Sequence, residues 1–539
     1  MNPPRRPACF ASYNSFTMKP SGFSAILSFI AILAFTPNPL HGEVKLASLF
    51  SDHMVLQRRA PIAIFGTAAP GESVAVTLAQ ATKQTTAGPD GRWLLRMDAM
   101  EAGGPYAMAV VGHNFLIVKD IYIGEVWLGS GQSNMDMTVA AEDRYWCGVN
   151  NEEAEVAAAN YPQIRMFKVK LKMSDTAADD AAGQWQVTTP ETVKKYSATG
   201  YFFARELWRT YHVPVGIIDS SFGASTAQAW ISPEAMRSHS EFAYMLDGYA
   251  KAKADWAPAA AEEIEKHRIA MNAWAPIAAE ALSEGKFEPR GPGLADPGQN
   301  QHNPSVLFNG MIAPLIPYTM RGVIWYQGES NEDAKSQPVY RLLMETLIDD
   351  WRARWGEGEF PFLYVQLASQ FQLALDPNQQ GVIAATREAQ LQNLSVPHTG
   401  MAVTIDIGDA GNVHPKDKQD VGVRLGLLAR HIAYGEAVED SGPVADKIVV
   451  EGNAIRVHFT HIDGGFVFRG GKTPIGFAIA GADKKFVWAD AKVDGDSIVL
   501  TSAAVTAPVA VRYGWADNPP VNLYNKANLP ASPFRSDSW

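Results

Sequence analysis

The sequence is poor in cysteine, poor in charge and without a long apolar run, and each shortage removes a class of protein. Two cysteines in 539 residues, Cys9 and Cys147, cannot supply the disulfide framework of a small secreted scaffold. Only 19% of the residues are charged, and 46 basic against 57 acidic side chains leave a net charge of -11. No overall basic field is available for general binding to nucleic acid or to an anionic membrane. Neither an H-E-x-x-H pair nor the close His and carboxylate spacing of a zinc site occurs around His212, His302, His398 or His431, so no metal and no cofactor are expected. The G-x-S-x-G elbow of many serine hydrolases is missing as well.

What is present describes a folded chain of about three domains: 47% hydrophobic and 10% aromatic residues exclude disorder and collagen-like repeats. Residues 1–42 stand apart, with no Asp or Glu and an apolar stretch from Phe23 to Phe35 after Lys19. That is a signal-peptide pattern, too short for the roughly 20 apolar residues of a membrane span. Cleavage near Gly42 is expected, and Met18 opens a more ordinary signal sequence than Met1 does. The protein is therefore expected to be exported, to the periplasm or beyond the cell, with no stable membrane insertion afterwards. Losing Arg5, Arg6 and Lys19 takes the charge from -11 to -14 (-11 - 3) and leaves Cys147 alone.

Three grammars succeed one another along the mature chain. Residues 43–122 alternate in short runs such as SVAVTL and YAMAVV between Pro/Gly turns, which predicts a small β-sandwich. Residues 123–441 alternate apolar strands (EVWLGSG, VPVGIIDSS, RGVIWYQG, PFLYVQLAS, GMAVTIDIG) with helices, which predicts an α/β domain with a parallel sheet covered on both faces. Within it, about 233–304 reads as a helical insertion broken at Pro258 and Pro276, then a Gly/Pro-rich loop. Residues 442–539 return to short strands and predict a second β module.

Chemistry in such sheets gathers at the carboxyl ends of the strands, and four of these ends carry polar residues. Ser133 lies just past the first, where a strand turns sharply into a helix whose N–H groups can receive an oxyanion. Ser220 to Ser225 and Trp325 to Asn331 end two more. The segment Asp406 to Pro415 supplies an imidazole, His414, after the fourth.

The blocks GQSNM, SSFGAS followed by AQAWI, WYQGESN and VHP together resemble the SGNH-type, sialate O-acetylesterase-like carbohydrate esterases. LFSDHMVLQR, DGRW, KDIYIGEVWLGSGQSNM and LPASPFRSD extend the likeness over nearly the whole mature chain. The resemblance implies a flavodoxin-like sheet with accessory β modules and removal of acetyl groups from sugars. Ser133 matches the nucleophile and His414 the base, and the N–H groups of Ser133 and Gly223 match the oxyanion hole. Gln327 stands where related hydrolases place an Asn donor. Many of these enzymes carry Asp three residues before His, where this chain has Gly411. Asp409 is the first choice to orient His414, Asp406 the second and a simple Ser-His pair the third. Trp230, Glu329 and Asn331 are candidate sugar contacts, each with packing or bracing as the alternative. The expected partner is an acetylated oligo- or polysaccharide, first of all a plant hemicellulose such as xyloglucan, with O-acetylated sialic acid as the alternative. A non-catalytic carbohydrate-binding protein and a lipase or peptidase are the readings from other classes.

Overall fold

The computed structural model describes residues 43–539 apart from 143, 285–288, 290 and 380, so the expected leader lies outside the described residues. The element that organises the molecule is a 17-residue strand, β1 (Phe115–Gly131), roughly 55 Å long. Its first half pairs antiparallel with Gly103–Val111 in the N-terminal sheets, and Val55–Gln57 pairs with its middle. From Glu125 onwards it becomes the central strand of the parallel sheet. The boundary expected at 122/123 thus falls inside one continuous strand. Its outer half has exposed and part-buried positions, whereas every residue from Ile123 to Gly131 is buried. The change in sequence grammar marks burial on both faces rather than a break in the chain.

The remaining strands of this sheet are β2 (Tyr161–Lys168), β3 (Trp185–Thr188), β4 (Val215–Ser221), β5 (Gly322–Tyr326), β6 (Phe362–Val365) and β7 (Thr399–Ala402). They lie in the order β3-β2-β4-β1-β5-β6-β7, parallel except for β3. Side chains alternate between two cores: Val323 and Trp325 face one, Ile324 and Tyr326 the other. Chain connections leave β1 in both directions, so the crevice beside its carboxyl end is where such sheets bind ligands.

The principal helices are α1 (Ser133–Asp136), α2 (Ala198–Tyr211), α3 (Ala243–Ser283), α4 (Tyr340–Trp355), α5 (Val382–Gln392) and α6 (Lys418–Leu428). α2 is capped by Ser197, whose hydroxyl accepts from the Gly200 N–H at 3.0 Å. α2 and α6 approach so closely that a Cβ on Gly422 would stand 2.4 Å from Phe202 Cβ, which only glycine permits. α3 is the expected insertion, but it runs unbroken for 41 residues through Pro258 and Pro276. Of its side chains, only Met245 and Ala278 are buried. Among the described residues no helix is long and apolar enough to cross a membrane.

The modules are fastened to the sheet by buried polar groups. Glu125 is fully buried between Arg58 of the N-terminal module and Arg321 of the core, and the two cations outweigh burial and hold its carboxyl below the usual range. The C-terminal module is two four-stranded sheets and a two-stranded one, enclosing Ile455, Val457, Phe477, Val511 and Phe534. Arg387 of α5, fully buried, docks it by donating to the carbonyls of Leu367, Ala368, Ala516 and Asp517 at 2.7 to 3.0 Å.

Candidate active site

β1 ends in Gly131, whose φ of 130° and position 2.2 Å (for an added Cβ) from the Tyr326 carbonyl oxygen exclude any side chain. The chain therefore turns sharply, and Ser133 emerges half-buried as the first residue of α1. Its N–H, like the other N–H groups at a helix start, has no partner within the helix. Beyond β4, Gly223 faces it: a Cβ on Gly223 would lie 3.7 Å from Ser133 Cβ. Neither the Ser133 nor the Gly223 N–H is engaged by a backbone acceptor among the described residues. Two converging N–H groups beside a serine hydroxyl can receive the oxygen of a tetrahedral intermediate.

His414 comes to the same place from the loop between β7 and α6. The residues adjacent to Ser133 and His414 are bonded to each other, Asn134 Nδ2 donating to the Val413 carbonyl at 3.0 Å. His414 Nε2 is buried and without a hydrogen-bond partner among the described residues. Burial first, and the Lys418 ammonium second, hold the imidazole down to about 4, so the ring is neutral at pH 7 and able to accept a proton. The Trp146 ring lies against it, with centroids 4.6 Å apart and planes 37° from parallel. Arg144 covers the other end of this aromatic stack at 4.9 Å and pairs with Asp136 of α1 at 2.9 Å.

The two carboxylates considered as orienters are engaged elsewhere. Exposed Asp409 closes its own turn, Oδ1 accepting from the Gly411 N–H at 2.8 Å, and has no hydrogen bond or ion pair with His414 among the described residues. Asp406 is clamped by Arg424 at 2.6 and 2.8 Å and accepts from Arg469 and Tyr524 of the C-terminal module, so it fastens that module to the loop.

Four other expected roles are displaced inwards. Gln327 was expected to donate to the oxyanion, but it is wholly buried, and its Nε2 donates to the Ser225 carbonyl and to Asn331 Oδ1. Asn331, wholly buried too, accepts from the Ala227 N–H and donates to Gln228, so it braces two strand ends instead of meeting a sugar. Trp230 is 0% exposed, edge-on to Trp325, with its N–H on Ser225 Oγ, which makes it core. Glu329 turns its carboxylate inwards, Oε1 accepting from Asn134 at 2.6 Å while Oε2 is buried without a hydrogen-bond partner among the described residues, and burial raises its pKa.

Sequence reading missed Trp146 and Lys418. The only signal for Trp146 was the Tyr145-Trp146 pair in an otherwise polar loop, of which Tyr145 is 81% exposed. Lys418 had none, since a lysine in a K-D-K run reads as solvated surface.

Comparison with known proteins places these blocks in context. Residues 303–430, which include His414, match the family model described as carbohydrate esterase, sialic acid-specific acetylesterase. A sialate O-acetylesterase of Mus musculus is 32% identical over 91% of this chain and 94% of its own length. The Homo sapiens enzyme of that name is 29% identical, with 91% and 92% covered. Among solved structures, a carbohydrate acetylesterase from Xanthomonas citri superposes with a TM-score of 0.75 at 36% identity, covering 92% of this chain and 100% of that one.

Proposed function

The chain belongs to the sialate O-acetylesterase family of carbohydrate esterases and is a carboxylic ester hydrolase, and from that premise we propose that Ser133 and His414 act as a serine-histidine pair in acetyl transfer. Ser133 Oγ attacks the acetyl carbonyl carbon as His414 Nε2 takes its proton, and the Ser133 and Gly223 N–H groups receive the oxyanion. Collapse breaks the bond to the sugar oxygen, which leaves with the proton from His414. Water, deprotonated by the same nitrogen, then attacks the acetyl carbonyl carbon, and acetate leaves as Ser133 Oγ takes the proton back from His414. The observation that carries this reading is convergence: Gly223 packs against Ser133, and the Asn134 to Val413 bond ties the residue after Ser133 to the residue before His414.

The substrate proposed is an acetylated, uncharged saccharide such as a plant hemicellulose, met outside the cytoplasm. Two observations support an uncharged ligand. The chain without residues 1–42 carries -14 (-11 - 3). The cations that pair with Asp136 of α1 are already balanced, Arg144 by Asp136 and Lys168 by Asp136 and Asp219. The half-buried Trp146 beside His414 offers an aromatic face suited to sugar C–H groups. A sialate substrate is the second reading, favoured by the names of the mouse and human relatives. Acetate release from acetylated xyloglucan, acetylated xylan and O-acetylated sialic acid separates them. Release from the plant polymers supports the first reading, and release from sialic acid alone replaces it with the second.

A further inference from the structure

His414 is held from both sides by two side chains that sequence patterns do not connect. Lys418, on the first turn of α6 and wholly buried, donates from Nζ to the Pro415 carbonyl at 2.6 Å and to Asn134 Oδ1 at 2.9 Å. Asn134 donates in turn to the Val413 carbonyl at 3.0 Å and to Glu329 Oε1 at 2.6 Å. The carbonyls immediately before and after His414 are thus fixed to the residue immediately after Ser133, and Glu329 anchors the assembly to the end of β5. A buried amine is unfavourable unless its donors are used and its charge answered, and here the ammonium also stands 5.6 Å from the centre of the Tyr326 ring.

We propose that Lys418, acting through Asn134, is a positioning residue that sets His414 against Ser133. The proposal rests on the serine-histidine reading of the site. The groups facing the ammonium are Glu329 from the turn after β5, Asp417 from its own helix, Cys147 from the loop bearing Trp146, and His414 itself. Glu332 lies behind Glu329, itself near Asp517 and Arg387. Burial outweighs this acidic neighbourhood and holds Lys418 down to about 7, so its charge, and with it the repulsion on His414, is retained below neutral pH.

The test compares Ser133→Ala, Lys418→Met, Asn134→Ala and the double Asn134→Ala/Lys418→Met variant of the full chain on an aryl acetate, with kcat, KM and the pH profile of kcat/KM measured for each. Lys418→Met is expected to lower kcat roughly 100-fold, the cost of about 1 Å of misplacement. KM should change less than about threefold, because ground-state contacts are untouched. The acid limb of kcat/KM should move to higher pH, a shift that a merely structural lysine would not produce. The double variant should be no slower than the worse single one, as for residues acting as a unit. Should Lys418→Met fail to fold, Asn134→Ala decides by the same split between kcat and KM. An unchanged kcat, a loss confined to KM, or an unmoved acid limb in folded Lys418→Met overturns the proposal while leaving the esterase reading intact. Activity that survives Ser133→Ala overturns that reading and this inference with it.

Discussion

Replacing Asp409 by Ala separates a catalytic triad from a catalytic pair. The Asp409 carboxylate lies exposed and is spent on one local bond, to the Gly411 N–H at 2.8 Å. Removing such a bond costs about 0.5 to 1.5 kcal/mol at most, because water replaces it. Some of that loss reaches His414 as a looser turn, so kcat/KM should fall by less than about tenfold, or roughly 1.4 kcal/mol. A carboxylate that orients the base is worth about 10⁴ in kcat, so the two outcomes lie three decades apart. Initial rates on an aryl acetate and on an acetylated sugar, with thermal melting as a check on folding, measure the difference. Asp406→Ala provides the contrast: its side chain is 4% exposed and paired with Arg424, so its loss should cost about 3 to 5 kcal/mol of stability and lower the melting temperature. A thousandfold fall in kcat for folded Asp409→Ala would refute the pair, because the carboxylate would then have to swing to His414 when substrate binds.

Other perturbations test other parts of the site. Since burial and Lys418 depress His414 to about 4, the base is neutral above that pH and becomes protonated below it; kcat/KM should hold from pH 8 to about 5 and fall near 4, and a limb at 6.5 or higher would contradict this. Gln327→Ala strands the Ser225 carbonyl, while Asn331 Oδ1 keeps the Ala227 N–H, so it should cost about 1 to 3 kcal/mol in chemical unfolding. Its folded fraction should lose less than the 10² to 10³ in kcat that removal of an oxyanion donor brings. Trp146→Ala removes the ring against His414 and should reduce kcat/KM about tenfold, more on sugar acetates than on a small aryl acetate. Equal losses on both would remove Trp146 from the sugar surface.

Much of the core was legible because a parallel sheet writes itself plainly. Buried strands read as continuous apolar runs ending in small or polar residues, so the ends of β1, β4 and β5 and the loop bearing His414 could be named from spacing alone. The strands β2 and β3 at one side of the sheet could not, since YPQIRMFK and WQVT mix charge and amide with apolar residues. α3 was expected to break at its prolines, each costing about 3 kcal/mol in a helix interior, yet the helix carries both. Proximity to a motif misled at Trp230 and Asn331: both lie beside the reactive blocks in sequence, but their side chains point between the strand ends and fill the core. Lys418 is the reverse case. Its burial comes from Asn134 of α1, the end of β5 and the loop bearing Cys147 gathering around it, and no local pattern records that.

Acetate release by the Ser133→Ala variant, measured beside the unaltered protein on acetylated xyloglucan and on an aryl acetate, bears most directly on the mechanism. Loss of release from both substrates in a variant that melts normally is the expected result, since the proposed geometry gives the attacking hydroxyl, between Gly223 and His414, to Ser133. Release that persists at a comparable rate would contradict it, and would move the nucleophile away from the end of β1.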